Sequence, residues 1–263
     1  MFEGFRDETM QFLWGVRLNN QRSWFLEHKA MYETFLYQPL KELGAEVQEE
    51  LHRRQPESQF NVHVSRIYRD ARRLHGQGPY KDHLWFCIPP VEQWATVEPV
   101  FYFEIYPEGY EYGMGYYCPK PSLMAAYRQH ILDNPERMET LAQKLNEQDL
   151  FHLEGEEYKR SKGTVSQLLQ PWFNRKNLSL CTAFPPDETL FSHSLVLTLA
   201  EGYQWLWPYY RFLKEIQVPL DGRDRGQKKK TALDVSPERF CAGQVFFSKD
   251  APQLRQEMWM RPL

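Results

Sequence analysis

The chain lacks the paired cysteines that would announce a metal or redox motif. Cys87, Cys118, Cys181 and Cys241 are scattered, and none forms a CxxC pair. Neither a zinc ribbon nor a thioredoxin-like site fits that spacing, and the four read as small buried apolar residues in a reducing compartment. The eight histidines include no HxH or HExxH pair, so no metal site is expected. No GxGxxG follows a strand-like run and no GxxxxGK[ST] occurs. Gly113-Met114-Gly115 lacks the third glycine, so dinucleotide and P-loop readings both fail and no cofactor is indicated. The most apolar stretch, Leu195 to Leu213, is interrupted by Glu201, Gly202, Pro208 and Arg211, which argues against a membrane span. The mixed-charge start, Met1 to Asp7, shows no secretory signal, so a cytoplasmic location is expected. A net charge of −3 excludes nucleic-acid binding by bulk charge and leaves only local basic patches.

What the chain has in quantity is aromatic side chains: 17 Phe, 15 Tyr and 8 Trp, within a hydrophobic content of 42%. That is enough to fill a sizeable core over 263 residues, as one large domain or two small ones.

Helical spacing of Phe5, Phe12, Leu13 and Val16 predicts a first helix ending near Asn19-Asn20. Ser23 is expected to cap a second, and Pro39 to open a third with the stripe Leu40, Leu43, Val47 and Leu51. Trp24 at the junction reads as a core plug. From Phe60 the period becomes two. Phe60, Val62, Val64, Arg66 and Tyr68 would share one strand face, which puts Arg66 at the rim of the core beside a carboxylate or a ligand anion. Leu84–Ile88, Val100–Tyr106 and Tyr110–Tyr117 read as further strands, the last two joined at Pro107-Glu108-Gly109. Gly113 and Gly115 predict a bulge or the close approach of another backbone or ligand. Helices are expected after Ser122 and from Asn134-Pro135. A strand is expected over Asn177–Phe184 and a long aromatic helix from Asp187 to Ile216, kinked at Pro208. Strands bracketed by helices argue for an α+β fold: an antiparallel sheet packed by helices, with a helical N-terminal segment and the aromatic helix near the C-terminus. The expected organisation is one domain over residues 1–216 and a partly flexible extension over 217–263.

The densest chemistry is Arg66-Ile67-Tyr68-Arg69-Asp70-Ala71-Arg72-Arg73, continuing through Gly76-Gln77-Gly78 to Pro79-Tyr80-Lys81-Asp82-His83. Guanidinium forks suit carboxylate and phosphate, and lysines add point charge. One reading is therefore a cleft lined by Arg66, Arg69, Arg72, Lys81, Arg128, Arg160 and Lys162 that binds a small anionic ligand. The other is a structural network in which Asp70, Asp82 and Glu104 neutralise these bases. If there is catalysis, Asp70 is the general-base candidate, with Tyr80 or Lys81 as proton donor or electrostatic stabiliser. The sequence names no reaction.

Several of these segments together resemble a known family. Asn19-Asn20 with Trp24-Phe25, Arg66 to Arg72, Pro79-Tyr80-Lys81, Gly113-Met114-Gly115-Tyr116-Tyr117 with Pro119, Arg128, and Lys159-Arg160-Ser161-Lys162-Gly163 occur in the order seen in the bacterial family catalogued as domain of unknown function 2461. The resemblance spans roughly residues 4 to 216. It implies a single domain of that extent and no activity. The chain departs from the family pattern at Arg73, where an apolar or aromatic residue is usual, and at Ser161, where proline is usual.

Two other partner classes follow from the residues. Tyr102, Tyr106, Tyr110, Tyr112 and Tyr116 beside the basic cluster could stack on single-stranded nucleic acid, or form a second packing layer. The helix around Tyr203, Trp205, Leu206, Trp207, Tyr209 and Tyr210 is apolar nearly all round, as in a buried helix or a protein-interaction surface.

Overall fold

The structure, a computed structural model, describes residues 1–69, 78–90, 98–116 and 118–217. Helix α1 (Asp7–Leu18) buries Phe12, Leu13 and Val16 on one face, with Asp7 and Glu8 in its first turn and Arg17 in its last, as the helix dipole favours. Phe5 is buried just ahead of the helix rather than within it. Helix α2 (Arg22–Glu27) starts one residue before Ser23, with Gln21 at its cap, so Ser23 does not cap it. After the short α3 (Lys29–Met31), a π-helical turn over Tyr32–Tyr37 leads directly into α4 (Gln38–Arg54). Leu40, Leu43, Val47 and Leu51 form the buried stripe of α4. Trp24 is half-buried, its ring stacked on His28 at 4.1 Å and tilted against Phe12 at 5.7 Å.

Six strands follow: β1 (His63–Val64), β2 (Leu84–Ile88), β3 (Val100–Tyr106), β4 (Gly109–Gly115), β5 (His152–Glu154) and β6 (Ser179–Phe184). They form one sheet in the order β1-β2-β3-β4-β6-β5, with every pair antiparallel. Helices α5 (Pro121–Asp133) and α6 (Pro135–Asn146), the single turn α7 (Gln170–Phe173) and the long α8 (Ser194–Lys214) complete an α+β architecture. α8 runs through Pro208 as one helix. It begins at Ser194, not Asp187, because the Asp187 carboxylate accepts the Leu190 N–H and the Tyr110 hydroxyl and so closes a turn instead.

The register divides the sheet into two chemically different faces. Phe86, Phe103 and Tyr112 lie side by side, as do Ile88, Phe101 and Met114, and this face packs against α4 and α8. Phe101 meets Tyr203 at 4.9 Å and Tyr210 at 5.0 Å between ring centroids. Hydroxyls that burial would otherwise strand reach backbone carbonyls: Tyr203 donates to Tyr102, Tyr209 to Leu141 and Tyr116 to Leu213. The other face carries Trp85, Cys87, Tyr102, Glu104, Glu111 and Cys181, every one of them buried.

The first strand is shorter than its alternation predicts. Val64 pairs with Phe86, but the next bridge joins Tyr68 to Tyr80, so three residues lie between the bridges on one side against five on the other. The mismatch acts as a bulge and turns the chain over. Ile67 enters the core and Arg66 is exposed. Arg66 therefore does not continue the Val62-Val64 face at the core's rim. Gly113 and Gly115 are explained by close backbone approach: a Cβ at either would collide with the carbonyl oxygen of Leu180 or Leu178 from the β6 side.

Candidate functional site

Three polar regions are built on this frame. At the β3–β4 turn end of the sheet, Asn20 pairs with the backbone of Tyr80 as a strand would, its amide donating to Tyr80 O at 2.8 Å and its oxygen accepting Tyr80 N–H at 3.0 Å. Gly78 permits this contact, because a Cβ there would strike the Asn20 side chain. Arg69 donates through Nε to the same Tyr80 carbonyl at 2.7 Å and lies 3.5 Å from Asp82. Arg17 of α1 donates to Asp82 at 2.7 Å and to Glu108. Burial opposes the Asp82 charge, but hydrogen bonding and charge from His83 and Arg17 outweigh it and hold the carboxyl well below its usual range. Arg69 and Asp82 thus belong to an internal network.

Tyr80 is buried, its ring stacked on Phe25 at 4.2 Å, and burial pushes its phenol up. Lys81 is 9% exposed, with its ammonium 5.8 Å from the Trp85 ring. Lys81 and Arg66 both bear on His63, which burial and those two cations push down to about 4. Asp70 and Arg72 lie outside the described residues, as do Arg73, Gly76 and the extension beyond Gln217.

The second region lies beside the start of β6, at the opposite end of the sheet. Tyr158 donates its N–H to Asn174 O at 2.9 Å, and Asn174 Oδ1 accepts the Lys162 N–H at 3.2 Å. This pins the basic loop Lys159-Arg160-Ser161-Lys162. Three cations surround the Tyr158 ring: Lys162 at 4.2 Å, Arg128 of α5 at 5.6 Å and Lys176 at 5.9 Å from its centroid. Arg175 and Lys176 are paired with Glu157 and Glu156. Among the described residues no carboxylate pairs with Arg128, Arg160 or Lys162. Arg128 Nη1 is buried without a hydrogen-bond acceptor. The fold thus brings Arg128 and Lys162 together, with Arg160 on the same exposed loop, and separates them from Arg66 and Arg69 by the length and width of the sheet.

The third region is the buried polar face itself. Glu104 and Glu111 stand directly opposite each other on β3 and β4. The Tyr102 hydroxyl donates to Glu111 at 2.8 Å and meets Ser179 Oγ at 3.1 Å. Burial, then the charges of Glu111 and Glu154, push the Cys181 thiol up. At the rim, His83 Nδ1 lies 3.1 Å from Asp82 and its Nε2 3.7 Å from Glu104. Cys87 is likewise buried, whereas Cys118 is exposed and Cys241 falls outside the described residues.

The family follows from this chain's own segments. The model of a conserved hypothetical protein family, domain of unknown function 2461, matches residues 8–212. The chain belongs to this family. No curated protein matches it. The match takes in the whole sheet, the Arg69–Asp82 network, the Arg128–Tyr158 corner and all but the last two residues of α8. Among the described residues of this family member, no helix is long and apolar enough to cross a membrane, and no three His, Cys, Asp or Glu side chains group as a metal site would.

The five tyrosines weighed as a stacking surface or a second packing layer are all buried, as packing requires. Tyr110 and Tyr112 share the helix-packed face with Phe103 and Ile105, and Tyr102 and Tyr106 sit on the buried polar face. Tyr116 is buried and bonded to α8. Residues of the site that sequence reasoning passed over are Arg17, Tyr158, Arg175 and Lys176. Only Tyr158 carried a local signal, standing at the head of the basic loop.

Proposed function

We propose that this cytoplasmic protein binds a phosphate- or carboxylate-bearing small ligand at the corner formed by Arg128, Tyr158, Arg160 and Lys162. The observation that carries the proposal is Arg128 Nη1, a buried guanidinium nitrogen with no acceptor. An unmet buried N–H costs roughly 1–3 kcal/mol, more when charged, and a ligand oxygen would recover it. Lys162 and Arg160 add positive charge with which no carboxylate pairs among the described residues, and Tyr158 offers a flat apolar surface to the organic part of the ligand. Arg69 is assigned to the fold, since it already donates to the Tyr80 carbonyl and pairs with Asp82. No reaction is included in the proposal.

A thermal-shift panel of phosphate, pyrophosphate, citrate, mononucleotides and a short single-stranded oligonucleotide tests it. Ligand at a hundred times its dissociation constant stabilises by about 2.7 kcal/mol, a readily measured shift. The expected result is stabilisation by one or more small anions and its loss in Arg128→Met. A response to the oligonucleotide alone would replace this reading with single-strand binding. Silence across the panel would leave a non-catalytic interaction protein as the better account.

A further inference from the structure

We propose that Arg175 is a second binding residue of the anion corner, acting with Arg128, and that the group these two arginines hold is a tetrahedral dianion, the phosphate of a phosphate monoester. The inference rests on the reading of the corner given above and narrows its ligand class.

Arg175 is placed by the turn that follows α7. Its backbone N–H donates to the Trp172 carbonyl at 3.4 Å, and the Tyr127 hydroxyl donates to the same oxygen at 3.4 Å. One carbonyl therefore ties Arg175 to Tyr127, the neighbour of Arg128 on α5. Burial pushes the Tyr127 phenol up, and Arg175 and Arg128 both act against that shift, so both guanidinium charges lie near this one hydroxyl. On its other side Arg175 bridges to Glu157, which precedes Tyr158, and the Tyr158 ring faces Arg128 at 5.6 Å.

The Arg175 guanidinium is firmly held. Its Nη1 donates to the Gly155 carbonyl and its Nη2 to the Leu153 carbonyl at 3.3 Å, with Glu157 also 3.3 Å from Nη2. That leaves Nε, which is buried without an acceptor, as is Nη1 of Arg128. Among the described residues these are the only two guanidinium nitrogens in that condition, and both belong to this corner. The charges agree with the donors. Arg175 and Lys176 are paired with Glu157 and Glu156, whereas Arg128 and Lys162 have no carboxylate partner among the described residues. A phosphate monoester carries about 1.5–2 negative charges at neutral pH and three strong acceptor oxygens, which suits Arg128 Nη1, Arg175 Nε and the Lys162 ammonium together. A carboxylate is planar and singly charged, and it fits the fork of one guanidinium better than single N–H groups on two. Access is from solvent: the Arg175 side chain keeps 13% of its exposure, and Arg128 and Tyr158 are half-buried.

Calorimetric titration at constant ionic strength with phosphate, sulfate, malonate and acetate tests the ligand class. Phosphate and sulfate are expected to bind, and malonate, which has the charge without the shape, to bind about ten-fold more weakly or not at all. Arg175→Lys keeps the positive charge and removes the Nε–H, so it should weaken phosphate about ten-fold, the worth of one charge-assisted hydrogen bond. Malonate equal to phosphate, or Arg175→Lys binding phosphate as the parent chain does, overturns this inference while the Arg128 corner stands. If none of the four anions binds, the proposed function falls and this inference falls with it. Should Arg175→Lys fail to fold, the arginine Nε–H signals in nitrogen NMR of the unsubstituted protein decide the matter. The Arg175 signal is expected to shift as phosphate is added, and a signal that stays in place at saturation ends the proposal.

Discussion

Arg17 on α1 donates to Asp82 at 2.7 Å through Nε and to Glu108 in the β3–β4 turn through Nη1. One guanidinium therefore ties the first helix to the approach of β2 and to the central hairpin. Burial works against the Arg17 charge, and hydrogen bonds to Glu108 and Asp82 more than offset it, so its pKa is raised. Arg17→Met takes one donor from each of two carboxylates and is expected to cost about 1–3 kcal/mol in urea melts at neutral pH. Because the folded Asp82 pKa lies below its unfolded value, this stabilisation is present above the usual carboxylate range and is lost as pH falls through the folded value. Melts in acid should show the gap between Asp82→Asn and the parent chain closing. A gap that stays constant into strong acid would show that the charge of Asp82 is not what stabilises the protein.

His63 makes the opposite case. Burial, with Lys81 and Arg66 nearby, pushes its pKa down to about 4, so the folded state keeps the ring neutral while the unfolded chain protonates it near the ordinary value. Stability from this group is complete above about pH 6.5 and declines as pH falls from there toward 4. For a half-buried ring the loss is expected to reach roughly 1–2 kcal/mol after allowance for solvent screening. His63→Gln should flatten that part of the stability profile. Direct NMR titration gives the same check, and a midpoint near the ordinary histidine value would refute it.

The central hairpin was legible because two physical signals agree there. Alternation in Phe101-Phe103-Ile105 and a Pro-Glu turn fix one register, and that register puts Glu104 opposite Glu111. The failure at β1 has an equally local cause. Alternation from Phe60 to Arg69 assumes one-to-one pairing, and the partner strand inserts two extra residues around Asp82-His83. Arg66 consequently changes sides. The basic residues were correctly singled out as a group, but a linear sequence does not say which have a carboxylate within reach. Arg69 finds Asp82 thirteen positions away, and Arg17 finds Glu108 across ninety-one. Arg128 and Lys162 meet only because both reach Tyr158, and nothing in their spacing encodes that.

Gly113 lies in β4 between Tyr102 and Cys181 across the sheet, where the β6 backbone leaves no room for a methyl group. Gly113→Ala must push two central strands apart, which is expected to destabilise by about 1–3 kcal/mol. The change adds no charge and sits far from the basic loop, so the affinity of the folded fraction for anions should be unaltered. Calorimetric unfolding checks the first statement and titration with phosphate the second. Stability equal to that of the parent chain would mean that the strands are not held at this spacing.

The sharpest contrast is between two arginines that the sequence treats alike. Arg69 spends its donors on Asp82 and the Tyr80 carbonyl, whereas Arg128 keeps a buried donor without an acceptor. Arg69→Met should therefore destabilise by about 1–3 kcal/mol, with the half-buried, charge-assisted bonds accounting for the loss. Anion binding by whatever fraction folds should be untouched. Arg128→Met should behave in the opposite way. It removes an unmet polar group, so stability is expected to stay within about 0.5 kcal/mol of the parent or to rise slightly. The same substitution should abolish stabilisation by small anions, and Lys162→Gln should weaken it in a manner that added salt mimics. Urea melts of both variants, with and without the best anion from the panel, separate the two roles. If Arg128→Met unfolds the protein while Arg69→Met spares it and loses binding, the assignments are reversed and the ligand lies at the Asp82 end of the sheet.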